Sequence, residues 1–149
     1  LSHYPDRSKL VNAMAELAVE EMMHFREVIR LLLKRGSGPG QDEKDPYVHQ
    51  LRANLSKGSD HYFLDRLLLG AVIEARGAER FGLIADHAPE GELRSFYQSL
   101  ARSEARHYEL FTELATEYFD TERCQTRLNE WLSLEANIAS KLPLRPCLH

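Results

Sequence analysis

Apolar residues recur every three or four positions along most of the chain, which is the spacing of helices with one buried face. No segment shows the strict alternation that is typical of a half-buried strand. The pattern predicts five helices, from about Asp6 to Arg35, Pro46 to about Ser56, Ser59 to His87, Pro89 to Phe119, and Thr121 to a point before Pro143. We therefore predict an all-α fold.

Three of these helices carry polar residues in the middle of an apolar stripe. The first has Glu21 and His24, the third has Glu74, and the fourth has Glu104 and His107. A carboxylate in a protein core is strongly disfavoured unless it is paired or bound to a metal. Two Glu-x-x-His pairs with lone Glu residues on further helices are the ligand pattern of a di-metal carboxylate site in a four-helix bundle. We predict that the catalytic and metal-ligating residues are Glu21, His24, Glu74, Glu104 and His107.

The height of each acid along its helix indicates which acids can lie close together. The connection between the third and fourth helices is centred near position 89, and Glu74 and Glu104 each lie 15 residues from it. At 1.5 Å per residue, antiparallel helices bring the two residues to nearly the same height. Glu79 would lie about 7 Å nearer the turn by the same rise. We expect Glu79 to be a surface or neighbouring partner of Arg76 or Arg80 instead.

The di-metal pattern requires a sixth ligand, a lone Glu on another helix. The offset of 30 residues from Glu74 to Glu104, applied backwards from Glu21, places this Glu roughly ten residues before Leu1. We therefore expect that a first bundle helix is missing from this chain. Glu135, which interrupts the apolar stripe of the last helix, is the alternative within the chain. We favour the upstream Glu because the repeated pattern requires that helix.

The connection between the first and second long helices is unusually long. Residues 36–58 can cross a bundle of roughly 45 Å, the length of a 30-residue helix. A crossover of this kind predicts a ferritin-like four-helix bundle with an extra C-terminal helix. We expect residues 1–149 to form a single, N-terminally truncated domain.

Composition narrows the class of protein further. No apolar run approaches the roughly 18 residues of a membrane span, and no signal peptide is recognisable. The two cysteines, Cys124 and Cys147, have no metal-motif spacing and form no disulfide framework, which fits a reducing cytoplasm. The net charge of −4 gives no argument for a nucleic-acid partner.

Three stretches of the chain resemble a known family: residues 20–25 (EEMMHF), 70–81 (GAVIEARGAERF) and 96–108 (FYQSLARSEARHY). They are similar to the bacterial tRNA 2-methylthio-N6-isopentenyladenosine hydroxylases. The resemblance implies a non-haem di-iron monooxygenase with two iron ions (Fe2+/Fe3+), O2 as co-substrate, tRNA as substrate and an unidentified electron donor. It also implies that the five predicted ligands match the iron-binding motifs of the family.

Two other interpretations use the same residues. A ferritin- or rubrerythrin-like protein for iron storage or peroxide scavenging could have the same ligands. A metal-free helical interaction module would need basic partners for the acids, and none lies in the three stripes. Small residues one turn either side of Glu74 (Gly70, Ala71, Gly77 and Ala78) predict either a pocket for O2 and a prenyl-sized group or close packing of a neighbouring helix.

Overall fold

The computed structural model describes residues 3–41 and 43–143, and all regular structure in these ranges is helical. The helices are α1 (Ser8–Lys34), α2 (Pro46–Ala53), α3 (Ser59–His87), α4 (Glu92–Tyr118) and α5 (Thr121–Lys141). The predicted all-α class and the order of the five helices are confirmed. Cys147 lies outside the described residues. Within them, no helix has the length and apolar content needed to cross a membrane.

Two helix boundaries differ from the prediction for local reasons. α4 begins at Glu92 and not at Pro89, because Gly91 has φ 137° and ψ −166°, a conformation that no right-handed helix contains. α2 ends at Ala53, short of Ser56, whose backbone N–H donates to Asp65 Oδ2 at 2.8 Å. The backbone N–H of Ser56 therefore donates to a side chain of α3 and not to a carbonyl of a further turn of α2.

The chain divides into two compact units at Glu43/Lys44, and the prediction of a single domain stays a prediction. The first unit contains α1. Its residues Leu10 and Leu31 are buried, whereas a row of large apolar side chains is more than half exposed. This row comprises Val19, Met22, Met23, Phe25 and Leu33.

The second unit is built around α3. This helix packs along the whole of α4, and α5 packs against both, while the short α2 packs against α5. Phe111 fits against Gly70, and Glu104 against Gly77, so the residues of α4 run in the opposite direction to those of α3. The core is a set of buried apolar side chains from all four helices: Tyr47, Leu51, Phe63, Leu67, Leu68, Val72, Leu100, Leu114, Leu128 and Trp131.

Candidate metal centre

The polar interruption of α3 faces the polar interruption of α4. Glu74, Glu104 and His107 each offer a carboxylate oxygen or imidazole nitrogen, and these atoms lie within 4.8 Å of one another. Glu74 Oε2 lies 3.5 Å from His107 Nδ1. The structure therefore brings together Glu74 and Glu104, which the count from position 89 placed at one height, and places His107 beside them. Their role as metal ligands stays a prediction.

These three side chains, which we call the α3–α4 cluster, lie inside the second unit. His107 is 3% exposed and Glu104 is 9% exposed, while the Glu74 side chain is half-buried. Two carboxylates in so small a space repel each other when both are ionised, and a cation placed between them removes that repulsion. Carboxylate and imidazole are ligands of iron, manganese and zinc, so the donor chemistry fits a divalent metal.

The other Glu-x-x-His pair lies on α1. His24 Nδ1 is 3.7 Å from Glu21 Oε1, and the two side chains are 23% and 47% exposed. The spacing of three residues thus places them on one face of the helix, as in the pair on α4. Convergence of Glu21 and His24 with the α3–α4 cluster stays a prediction.

The small residues of α3 accommodate side chains of α4. A Cβ atom added to Gly70 would lie 2.8 Å from the Phe111 ring, and one added to Gly77 would lie 3.2 Å from Glu104 Oε2. The space beside both glycines is therefore filled. Of the two interpretations of these small residues, close packing is the one that the contacts support, and Gly77 specifically allows the Glu104 carboxylate to approach α3.

Glu135, the alternative sixth ligand, has a different set of partners. Its Oε1 accepts hydrogen bonds from Arg76 Nε (2.7 Å) and from the Tyr47 hydroxyl (3.0 Å), and its Oε2 accepts one from Arg76 Nη2 (2.6 Å). Arg76 Nη1 also donates to Glu79 at 2.5 Å, which confirms the predicted pairing of Glu79 with a neighbouring arginine. The interruption of the α5 stripe is thus explained by an ion pair.

Burial and charge change the acidity of this group of side chains. Burial raises the pKa of Tyr47, and the adjacent Glu135 carboxylate raises it further. The hydrogen bond to Glu135 also raises the pKa of Arg76. The Arg76 guanidinium therefore stays charged, and the Tyr47 phenol stays protonated, at neutral pH. The interrupted apolar stripe of the last helix pointed to Glu135. Tyr47 could not be identified in this way, because an isolated tyrosine in a short connecting helix carries no spacing signal.

A second buried acid, Asp65, was not identified from the sequence. It is 1% exposed and accepts hydrogen bonds from Arg127 (2.7 and 2.9 Å), Trp131 Nε1 (3.0 Å) and the Ser56 backbone. Burial alone would raise its pKa, but these donors together lower the pKa to about 2. The aspartate therefore remains charged, and its lone pairs accept hydrogen bonds from α5 and from the segment that precedes α3.

The chain is similar over its whole length to one protein family. The model of the family described as tRNA-(MS[2]IO[6]A)-hydroxylase (MiaE) matches residues 1–149. Two curated relatives are named tRNA 2-(methylsulfanyl)-N(6)-isopentenyladenosine(37) hydroxylase. The protein from Pseudomonas putida is 38% identical over 120 residues, and the one from Salmonella typhimurium is 33% identical over 138 residues. These matches cover 80% and 87% of this chain but only 58% and 47% of the relatives' lengths.

A solved structure is similar in fold as well as in sequence. It is described as Protein 43 with aldehyde deformylating oxygenase activity from Synechococcus. The match has a TM-score of 0.90 and 33% sequence identity, and it covers 97% of this chain and 72% of the other. The ferritin-like helical class predicted from the sequence is supported by this similarity.

Proposed function

Since the chain belongs to the tRNA-(MS[2]IO[6]A)-hydroxylase (MiaE) family, we propose that it carries ligands of a non-haem di-iron monooxygenase that hydroxylates the isopentenyl group of a modified adenosine in tRNA. The observation that supports this most directly is the α3–α4 cluster, in which two acids and an imidazole meet inside the second unit. A structural role alone does not explain why acids at these positions point towards each other.

Each predicted ligand has a stated part in this proposal. Glu74, Glu104 and His107 would hold iron between α3 and α4, and Glu21 and His24 would supply the equivalent pair from α1. When bound, two iron ions allow O2 to oxidise an unactivated C–H bond, with one oxygen atom entering the product and the other leaving as water. Two electrons and two protons must come from outside, so an electron donor is required.

The burial of the ligands constrains how tRNA is bound. Because Glu104 and His107 are almost fully buried, a base that remains stacked in the anticodon arm cannot bring its prenyl group to them. We therefore propose that the modified adenosine is withdrawn from the stack when it binds. The partner is tRNA, and the site of action is the cytoplasm.

The test is the nucleoside profile of tRNA from a strain that lacks the gene. Complementation with the natural gene should restore the hydroxylated nucleoside, and the Glu104→Ala gene should not, because a ligand is lost. Glu109→Ala is the matched control, since Glu109 lies on the same helix and is exposed. Full hydroxylation with the Glu104→Ala gene would overturn the proposal.

The Synechococcus structure supports a second candidate, which is aldehyde deformylating oxygenase activity. The same strains distinguish the two, because an aldehyde oxygenase would leave the tRNA profile unchanged and would consume added aldehyde in extracts. An iron-storage protein would leave both unchanged and would accumulate ferric iron when the purified protein is given Fe2+ and O2.

A further inference from the structure

Two ion pairs of the same kind join α3 to α5, at different distances from the candidate metal centre. Asp65 of α3 pairs with Arg127 of α5, and Arg76 of α3 pairs with Glu135 of α5. In each pair the carboxylate is buried and accepts two hydrogen bonds from the arginine. Only the second pair lies beside Glu74, two residues along the helix.

The geometry of a helix gives the second pair a particular effect. Successive residues are separated by about 100°, so Glu74 and Arg76 project from α3 about 200° apart and only about 3 Å apart along the axis. Glu74 faces His107 on α4, at 3.5 Å, while Arg76 faces Glu135 on α5. The turn is therefore held from two opposite sides at one level. Rotation or sliding of α3 there would break one contact or the other.

Two features make the Glu74-bearing turn less firmly held than the first half of α3. Gly77 follows directly, and a glycine inside a helix is less favourable than an alanine because it loses more backbone freedom on folding. The residues from Ile73 to Arg76 are only half-buried, whereas almost every residue from Phe63 to Val72 is buried. Apolar packing therefore fixes the first half of α3 more firmly than the turn that bears Glu74.

The ion pair between Arg76 and Glu135 includes a third side chain, which comes from a different part of the chain. The hydroxyl of Tyr47, a fully buried residue of α2, donates to the same Glu135 oxygen that accepts from Arg76 Nε. α2 lies in the long connection that precedes α3. The connection is thus bonded, through α5, to the turn of α3 that carries Glu74.

We propose that Tyr47, Glu135 and Arg76 form a positioning network that holds the Glu74-bearing turn of α3 in place against His107, and so keeps Glu74 ready to bind metal. That the network holds the turn in place is inferred from the contacts alone. That it keeps Glu74 ready to bind metal rests on the proposed metal centre. None of the three residues is assigned a contact with substrate or metal. They act through the position of Glu74.

The test uses Glu135→Gln, which keeps the volume of the side chain but removes its charge, and Asp65→Asn as the matched control at the other ion pair. Hydrogen exchange of the metal-free proteins is measured first. In Glu135→Gln, the amides of residues 74–78 should exchange about tenfold faster, since the hydrogen bonds from Arg76 to a charged carboxylate are replaced by weaker ones to a neutral amide. In Asp65→Asn, the faster exchange should be confined to the surroundings of residue 65.

The second measurement is Co2+ affinity by titration calorimetry. Glu135→Gln should bind about tenfold more weakly than the wild type, the effect expected when a side chain that orients a ligand is altered. Asp65→Asn should bind as the wild type does. Tyr47→Phe removes only one hydroxyl and should change both measurements in the same direction by a smaller factor.

The outcomes separate the two proposals. Unchanged exchange at residues 74–78 in both Glu135→Gln and Tyr47→Phe would overturn the positioning network. Equal losses of Co2+ affinity in Glu135→Gln and Asp65→Asn would also overturn it, because stability alone would then account for both. If the wild type bound no Co2+, the metal centre and the metal-binding part of the inference would fall, and hydrogen exchange would still decide whether the network positions the turn.

Discussion

The interior acids of the second unit have surroundings of two kinds, one shown by Asp65 and Glu135 and the other by Glu74 and Glu104. Asp65 is surrounded by donors: a guanidinium, an indole N–H and a backbone N–H. Glu74 and Glu104 instead lie within 4.8 Å of each other and of an imidazole. An acid whose lone pairs are filled by protein donors has no need of a cation, whereas two acids that face each other favour one. The groups that surround an acid therefore distinguish a structural acid from a candidate ligand, without reference to any motif.

The largest expected effect that would test this comparison is stabilisation by metal. A ligand at 100 times its Kd that binds only the folded state stabilises it by about 2.7 kcal/mol. Anaerobic Fe2+ should therefore raise the melting temperature of the wild type, and His107→Ala should abolish the rise, since it removes a donor from the α3–α4 cluster. Asp65→Asn should melt lower but keep the rise.

The apolar packing around His107 should let the His107→Ala protein fold without metal. Circular dichroism of the metal-free variant should show the helical content of the wild type. An Fe2+-dependent rise that survived in His107→Ala but vanished in Asp65→Asn would reverse the assignment of the two groups.

The next effect in size concerns acid stability. The pKa of Asp65 is about 2 in the folded protein against an ordinary value of 3.8, so the folded state binds fewer protons than the unfolded state. The resulting stabilisation is fully present above pH 3.8 and is lost as the pH falls towards 2. A shift of this size corresponds to about 2 kcal/mol.

The measurement is urea unfolding of the wild type and Asp65→Asn between pH 6 and pH 2. The difference in unfolding free energy should be greatest at pH 6 and should shrink by about 2 kcal/mol as the pH falls. Parallel curves for the two proteins would show that Asp65 is not held ionised by its donors.

The same comparison explains how much could be predicted from the sequence. The helices followed from apolar spacing because each is long and has one buried face. The equal height of Glu74 and Glu104 followed from counting outwards from a short turn, which is a local constraint. The role of Glu135 did not follow, because its partner Arg76 lies 59 residues away and only packing of α5 on α3 brings them together.

Asp65 illustrates a second limit. Asp65 stands between Leu64 and Arg66, and nothing in the spacing indicated that it is buried or that Arg127, 62 residues later, is its partner. Periodicity identifies a face of a helix and does not identify what that face meets. The sixth metal ligand, for which an upstream Glu and Glu135 were the two alternatives, stays a prediction.

The smallest expected effect tests how closely Glu104 approaches α3. Gly77 and Gly82 both lie inside this helix, but a Cβ at position 82 would meet nothing within 4 Å, whereas one at 77 would lie 3.2 Å from Glu104 Oε2. Gly82→Ala should therefore raise the unfolding free energy by about 0.5–1 kcal/mol through helix propensity and loss of unfolded-state entropy. Gly77→Ala should gain less, because the Glu104 carboxylate must move by a few tenths of an ångström. Chemical denaturation measures the gain, and Co2+ titration should show weaker binding in Gly77→Ala alone. Equal stabilisation and equal Co2+ affinity in the two variants would mean that Glu104 has room to spare, and that Gly77 does not determine the position of this acid.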